Sequence, residues 1–161
     1  MSLTIPGPLI ERIRAHGRQL YPQECCGFLL GRANGSDKSV ADLKAVDNSR
    51  QDSRSNRYLI SPEDFLRVEK GARERRLDVI GVYHSHPDHP ARPSEFDREH
   101  AFPWYSYIIV SISHGEPVEL TSWTLREDRS AFEHEDVVTI GGTGRRQANA
   151  VFPAKAGAME E

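Results

Sequence analysis

A short apolar run, Val79-Ile80-Gly81-Val82-Tyr83, leads directly into His84-Ser85-His86-Pro87, and this junction constrains the fold more than any other part of the chain. The β-branched and aromatic content of the run is that of a buried strand. Side chains alternate along a strand, so His84 and His86 share a face. Ser94 and Asp97 follow, completing the spacing His-x-His-x7-Ser-x2-Asp. Two imidazoles and a carboxylate brought back by the next loop give three ligands for a tetrahedral zinc ion and leave the fourth position open, as catalytic sites do. Taken singly, each part has another reading. Solvated strand ends also carry paired histidines, and Ser94-x-x-Asp97 is the pattern of a helix capping box. Cap and metal site are compatible, because the cap would fix Ser94 and Asp97 at a helix start.

The rest of the chain alternates helical and strand signals. Leu9, Ile10, Ile13 and Leu20 recur at helical spacing over 6–20, with Pro8 tolerated in the first turn. Residues 24–31 read as a buried strand and 40–46 as its more exposed partner across an Ala-Asn-Gly-Ser-Asp turn. A polar loop over 48–56 and a short strand over 58–60 come next. Ser61-Pro62-Glu63-Asp64 then starts a helix whose buried face is expected to hold Phe65, Leu66, Val68 and Ala72. Residues 77–83 form the central strand, a site helix runs from Ser94 to before Pro103, and 105–112 with 118–125 form a hairpin about His114-Gly115-Glu116.

A second carboxylate completes a recognisable set. Glu24 lies in Tyr21-Pro22-Gln23-Glu24-Cys25-Cys26-Gly27-Phe28-Leu29-Leu30-Gly31. Together with His-Ser-His-Pro and the downstream Ser-x-x-Asp, this segment resembles the JAMM, or MPN-plus, zinc metalloproteases, in particular their small stand-alone bacterial members. The likeness runs over about 5–136 and includes Arg57-Tyr58-x-Ile60-x-Pro62. It implies an α/β chain with the MPN, cytidine-deaminase-like fold: a mixed, largely antiparallel curved sheet flanked by helices. It also implies zinc held by His84, His86 and Asp97, with Glu24 as the general base. Ser94 would hydrogen-bond the oxyanion. The implied reaction is hydrolysis of the amide bond after the C-terminal Gly-Gly of a ubiquitin-like or sulfur-carrier protein, releasing cysteine or a lysine-linked partner. A zinc amidohydrolase acting on a small molecule or short peptide, and a non-catalytic scaffold of the same fold, are the alternatives.

Composition narrows the remaining classes. At 161 residues the chain suits one domain, expected over 1–138, followed by a Gly- and Ala-rich tail over 139–161 that is expected to be flexible or to order against another chain; a homodimer stays open. A net charge of -3 with 28% charged residues argues against a nucleic-acid partner. No stretch approaches the ~20 apolar residues of a membrane span and the N-terminus lacks signal-peptide character, so a cytoplasmic location is expected. Cys25 and Cys26 are adjacent, a geometry that disfavours a bridge, and they are read as packed rather than nucleophilic. A zinc deaminase would require Pro-Cys-x-x-Cys, which the sequence does not contain. His89 crowds His86 too closely for a clean fourth ligand, Asp88 suits a turn, and His16, His100, His114 and His134 are read as surface residues.

Overall fold

Leu9, Ile10, Ile13 and Gly17 form the buried side of helix α1 (Gly7–Leu20), which begins at Pro6 with no side-chain cap and carries proline in its first turn. Helix α2 (Pro62–Glu74) starts where the sequence predicts: the Ser61 side chain accepts from the Asp64 N–H at 3.2 Å, and Glu63 and Asp64 sit in the first turn, where the helix dipole favours acids. Leu66, expected on its inner face, is 64% exposed. Phe65, Val68 and Ala72 make the stripe that packs inward, and Leu66 lies one residue, about 100°, off that stripe. The computed structural model describes residues 1–46 and 60–141, with the backbone alone of 146–147. The predicted loop over 48–56 and Tyr58-Leu59 of the short strand lie outside the described residues, and Ile60 is not in a strand.

The strands are β1 (Ser2–Pro6), β2 (Cys26–Asn34), β3 (Asp37–Val46), β4 (Asp78–Pro87), β5 (Ser106–Ser113), β6 (Glu116–Leu125), β7 (Phe132–Ile140) and β8 (Arg146–Gln147); the short helix α3 (Glu95–His100) joins β4 to β5. Their spatial order is β1-β3-β2-β4-β5-β6-β7-β8. The sheet is mixed. Pairs β2–β3, β2–β4, β5–β6, β6–β7 and β7–β8 are antiparallel, and β4–β5 is parallel. β1 runs parallel to both β3 and β7, so the curved sheet closes into a barrel. Closure follows from a strand too short to stand out in sequence: in Ser2–Pro6 only Leu3 and Ile5 turn inward. Strand β7 was likewise not anticipated. Its Thr139 and Ile140 pair with Ile5 and Pro6, so the boundary expected at 138 falls inside a strand. Within the tail expected to be flexible, Arg146 and Gln147 pair with Thr139 and Val138 as β8, and 142–145 and 148–161 lie outside the described residues.

Two apolar clusters lie on opposite faces of the sheet. Leu3, Ile5, Ile13, Leu29, Tyr83 and Ile112 belong to the one that α1 packs into, while Cys26, Phe28, Leu30, Val68 and Val79 lie under α2. His16, expected at the surface, approaches Tyr83 instead, with Nδ1 2.8 Å from the phenol oxygen. Among the described residues no helix is long and apolar enough to cross a membrane.

Glycine is required where strands and rings approach closely. A Cβ on Gly27 would come within 2.3 Å of the Tyr83 ring, and one on Gly81 within 2.1 Å of the Ser106 carbonyl oxygen, a backbone atom that cannot swing away. Gly81→Ala is therefore expected to lower the free energy of unfolding by about 3 kcal/mol, the upper part of the range for overpacking. Urea denaturation measures it, and an unchanged midpoint would mean that β4 and β5 separate freely at Gly81.

Candidate metal centre

A register shift in β4 decides which way the histidines face. Leu29 of β2 lies opposite Gly81 and Leu30 opposite Val79, which leaves Ile80 as an extra residue in β4. Ile80 and Tyr83 consequently both bury in the cluster on the α1 side, and Val79 and Val82 in the cluster under α2. Unbroken alternation from Ile80 would send His84 and His86 into the barrel. The bulge puts them with Val82 on the outer face, where α3 lies.

There the donor atoms converge. His84 Nε2 lies 3.1 Å from His86 Nε2 and 3.4 Å from Asp97 Oδ1, and His86 Nε2 lies 3.2 Å from Asp97 Oδ2. Ligands about 2.0–2.1 Å from a tetrahedral zinc ion would be about 3.3 Å apart, so this donor set fits such an ion. His84, His86 and Asp97 are all buried and form a group able to hold a metal. His86 Nδ1 sits 2.8 Å from the Pro90 carbonyl, which can only accept, so Nδ1 carries the proton and Nε2 offers its lone pair. No residue type in the sequence could have signalled this backbone partner.

The charge states suit ligation. Burial pushes the His84 pKa down, against the pull of Asp97, so its imidazole gives up a proton readily to a competing cation. Burial alone would raise the Asp97 carboxyl, but its contacts with His84 and His86 outweigh that and hold it below the usual carboxylate range, as an anion. Asp97 also completes a capping box: Ser94 N donates to its Oδ2 at 2.8 Å, and its own N–H donates to Ser94 Oγ at 3.1 Å. The cap and the metal group thus share Asp97. Ser94 is exposed, and its hydroxyl, accepting through oxygen, keeps its hydrogen to donate.

The loop before α3 is held by β5 and β6. Ser111 donates to the His89 carbonyl, Thr121 Oγ1 to the Ala91 carbonyl at 2.7 Å, and the Ala91 N–H to Glu119 at 3.4 Å. His89 itself is exposed and is not part of the metal group.

Glu24 comes from the other side of the β2–β4 pair. Cys26 faces His84, and the ladder is prolonged by one step where Ser85 N donates to the Cys25 carbonyl at 3.1 Å. Extending that register puts residue 24 across from residue 86. Glu24 is 2% exposed. It precedes two buried cysteines; burial, chiefly, pushes the Cys25 thiol up to about 12, which leaves essentially no thiolate at neutral pH.

Residues 6–126 match the family model described as prokaryotic homologs of the JAB domain. The chain belongs to that family. Its members are metalloisopeptidases, and this chain is accordingly a hydrolase. A desampylase of Haloferax volcanii is 34% identical over 114 residues, spanning 68% of this chain and 80% of the relative. A CysO-cysteine peptidase of Mycobacterium tuberculosis is 28% identical over 137 residues, spanning 84% and 91%. In fold the chain is similar to a JAB1/MPN domain protein of Archaeoglobus fulgidus, with a TM-score of 0.53 at 18% identity over 88% of this chain and 100% of that one.

Because Asp97 serves both the metal group and the cap, Asp97→Ala should abolish metal retention on dialysis and also cost on the order of 1 kcal/mol of stability. Metal analysis and thermal unfolding read the two effects separately. Full metal occupancy in this variant would remove Asp97 from the ligand set.

Proposed function

We propose that this JAB-family hydrolase is a zinc isopeptidase that cleaves the amide bond after the C-terminal Gly-Gly of a ubiquitin-like or sulfur-carrier protein, releasing cysteine or a lysine-linked partner. The observation that carries the reading is the convergence of the His84, His86 and Asp97 donor atoms within 3.4 Å, with the buried Glu24 entering from β2 at the same end of β4. His84, His86 and Asp97 would hold the ion. Zinc in such a set supplies Lewis acidity, bringing the ionisation of water from about 16 towards ~7 and polarising a carbonyl.

The chain's own groups supply the proton traffic and the orientation. Glu24, an ionisable group that is not part of the metal group, takes the proton from the attacking water and delivers it to the leaving nitrogen as the C–N bond breaks. Water oxygen ends in the new carboxylate, and the amine departs. Ser94, exposed at the start of α3, donates its O–H to the carbonyl oxygen as negative charge develops there. The relatives named desampylase and CysO-cysteine peptidase support a protein conjugate as substrate. An extended Gly-Gly tail suits a narrow cleft, and the folded body of the carrier would dock beside it, its remote contacts holding the tail in a reactive pose.

Two measurements test the assignment. Glu24→Gln should keep its metal and its fold while kcat falls by about 10² or more, and Ser94→Ala should lose roughly 10²-fold through the oxyanion. A fully active Glu24→Gln would leave Glu24 as a structural residue only. For the substrate, kcat/KM on a Gly-Gly-linked carrier adduct should exceed that on the matching short peptide by at least about 10²-fold, equivalent to ~2.7 kcal/mol of transition-state binding. Equal rates on both would move a small-molecule or short-peptide amidohydrolase into first place.

A further inference from the structure

The connector between α1 and β2 carries Glu24, and it is fastened at both ends to the segment that carries the histidines. On one side of Glu24, the Tyr21 hydroxyl donates to Asp88 Oδ2 at 2.7 Å. On the other, the Cys25 N–H donates to Ser85 Oγ at 2.8 Å. Both partners belong to the metal segment: Ser85 stands between the two histidines, and Asp88 follows His86 by two residues. Asp88 is held in turn, because its N–H donates to the Ile112 carbonyl at 2.6 Å and its Oδ1 accepts from the His114 N–H at 2.8 Å. Its backbone is left-handed, with φ of 58°, and its carboxylate reaches the connector and the β5–β6 turn at once. Tyr21 is packed on the apolar cluster, and its ring passes close to Gly115 of that same turn.

The Ser85 contact is informative because of what it replaces. An antiparallel pair at Cys25 and Ser85 would exchange two backbone bonds. Only Ser85 N to Cys25 O is made, and the Cys25 N–H goes to the side-chain hydroxyl instead. The ladder therefore ends there with its last donor satisfied, and the chain bearing Glu24 leaves the sheet without an orphaned buried N–H.

We infer that Tyr21, Asp88 and Ser85 form a positioning clamp that holds Glu24 in register with the metal ligands. The inference rests on the reading of Glu24 as the general base. None of the three touches the reacting atoms; they act through the connector. Proton transfer needs the base within hydrogen-bonding reach, and a misplacement of about 1 Å can cost about 10²-fold. A bond on each side of residue 24 limits that movement, while the same bonds leave the three metal donors untouched.

The test is Tyr21→Phe, which keeps the packed ring and removes only the hydroxyl, with Ser85→Ala as the second variant. In the metal-loaded protein acting on a Gly-Gly-linked carrier adduct, Tyr21→Phe should lower kcat by between about 10- and 100-fold with KM within about twofold. Metal content should stay at the wild-type value. Amide hydrogen exchange should speed up over residues 23–25 and remain unchanged in β5 and β6. Introduced into Glu24→Gln, the same change should cost nothing further, since its effect passes through the missing base. Wild-type kcat for Tyr21→Phe beside a crippled Glu24→Gln overturns the clamp alone, as does an equal loss in both backgrounds. A fully active Glu24→Gln removes the base assignment itself, and the clamp with it.

Discussion

The antiparallel contact of β2 with β4 is the interaction on which the rest of the site depends. It sets the two faces of the sheet, and its one irregularity, the extra residue Ile80, rotates the end of β4 so that His84 and His86 leave the barrel interior. The same contact determines where the chain before β2 must run, and so where Glu24 arrives. Gly27 and Gly81 permit the close packing of this region, one beneath the Tyr83 ring and the other against the Ser106 carbonyl. A central strand with neighbours on both sides is the least mobile support a sheet offers. A metal group needs such support, since donor atoms have to be held to a few tenths of an ångström.

Buried polar groups elsewhere in the sheet are treated differently from those of the metal group. Lys38 of β3 donates to Ser106 Oγ of β5 at 3.1 Å, and Ser122 of β6 donates to Glu135 Oε1 of β7 at 2.9 Å. Such partners lower the cost of taking polar groups out of water. In the metal group, two imidazoles, the second with its Nδ1 proton committed to Pro90, and an anionic carboxylate turn donor atoms toward one point. Such a set is complementary to a cation. The capping box adds to this economy, since the carboxylate that faces the histidines is oriented by the Ser94 N–H.

Much of this was legible in the sequence, and what was not has a physical reason. Ser61-Pro62 marked the start of α2, Ser94-x-x-Asp97 gave both cap and cluster, and His84 with His86 were read onto one face. The face itself could not be read, because alternation is blind to a one-residue bulge, and nothing in Val79-Ile80-Gly81 announces which residue is extra. β1 was missed because five residues with two inward side chains lie below the length at which a pattern separates from chance. β7 was missed because its inward residues include the charged Glu135, which is fully buried. The Asp88 carboxylate looked like part of a turn, which it is, and its reach to Tyr21 and to the His114 amide depends on tertiary contacts that no local pattern encodes.

The group able to hold a metal comes from one continuous stretch, 84–97, whereas residue 24 reaches it only through a pairing between positions 60 apart in sequence. These parts differ in the order in which a folding chain can assemble them. Closing the short loop within 84–97 takes little entropy, whereas residue 24 waits on a long-range ladder. On the reading of Glu24 as the general base, a change that frays the chain before β2 from Ser85 would separate the ability to hold a metal from the ability to hydrolyse an amide.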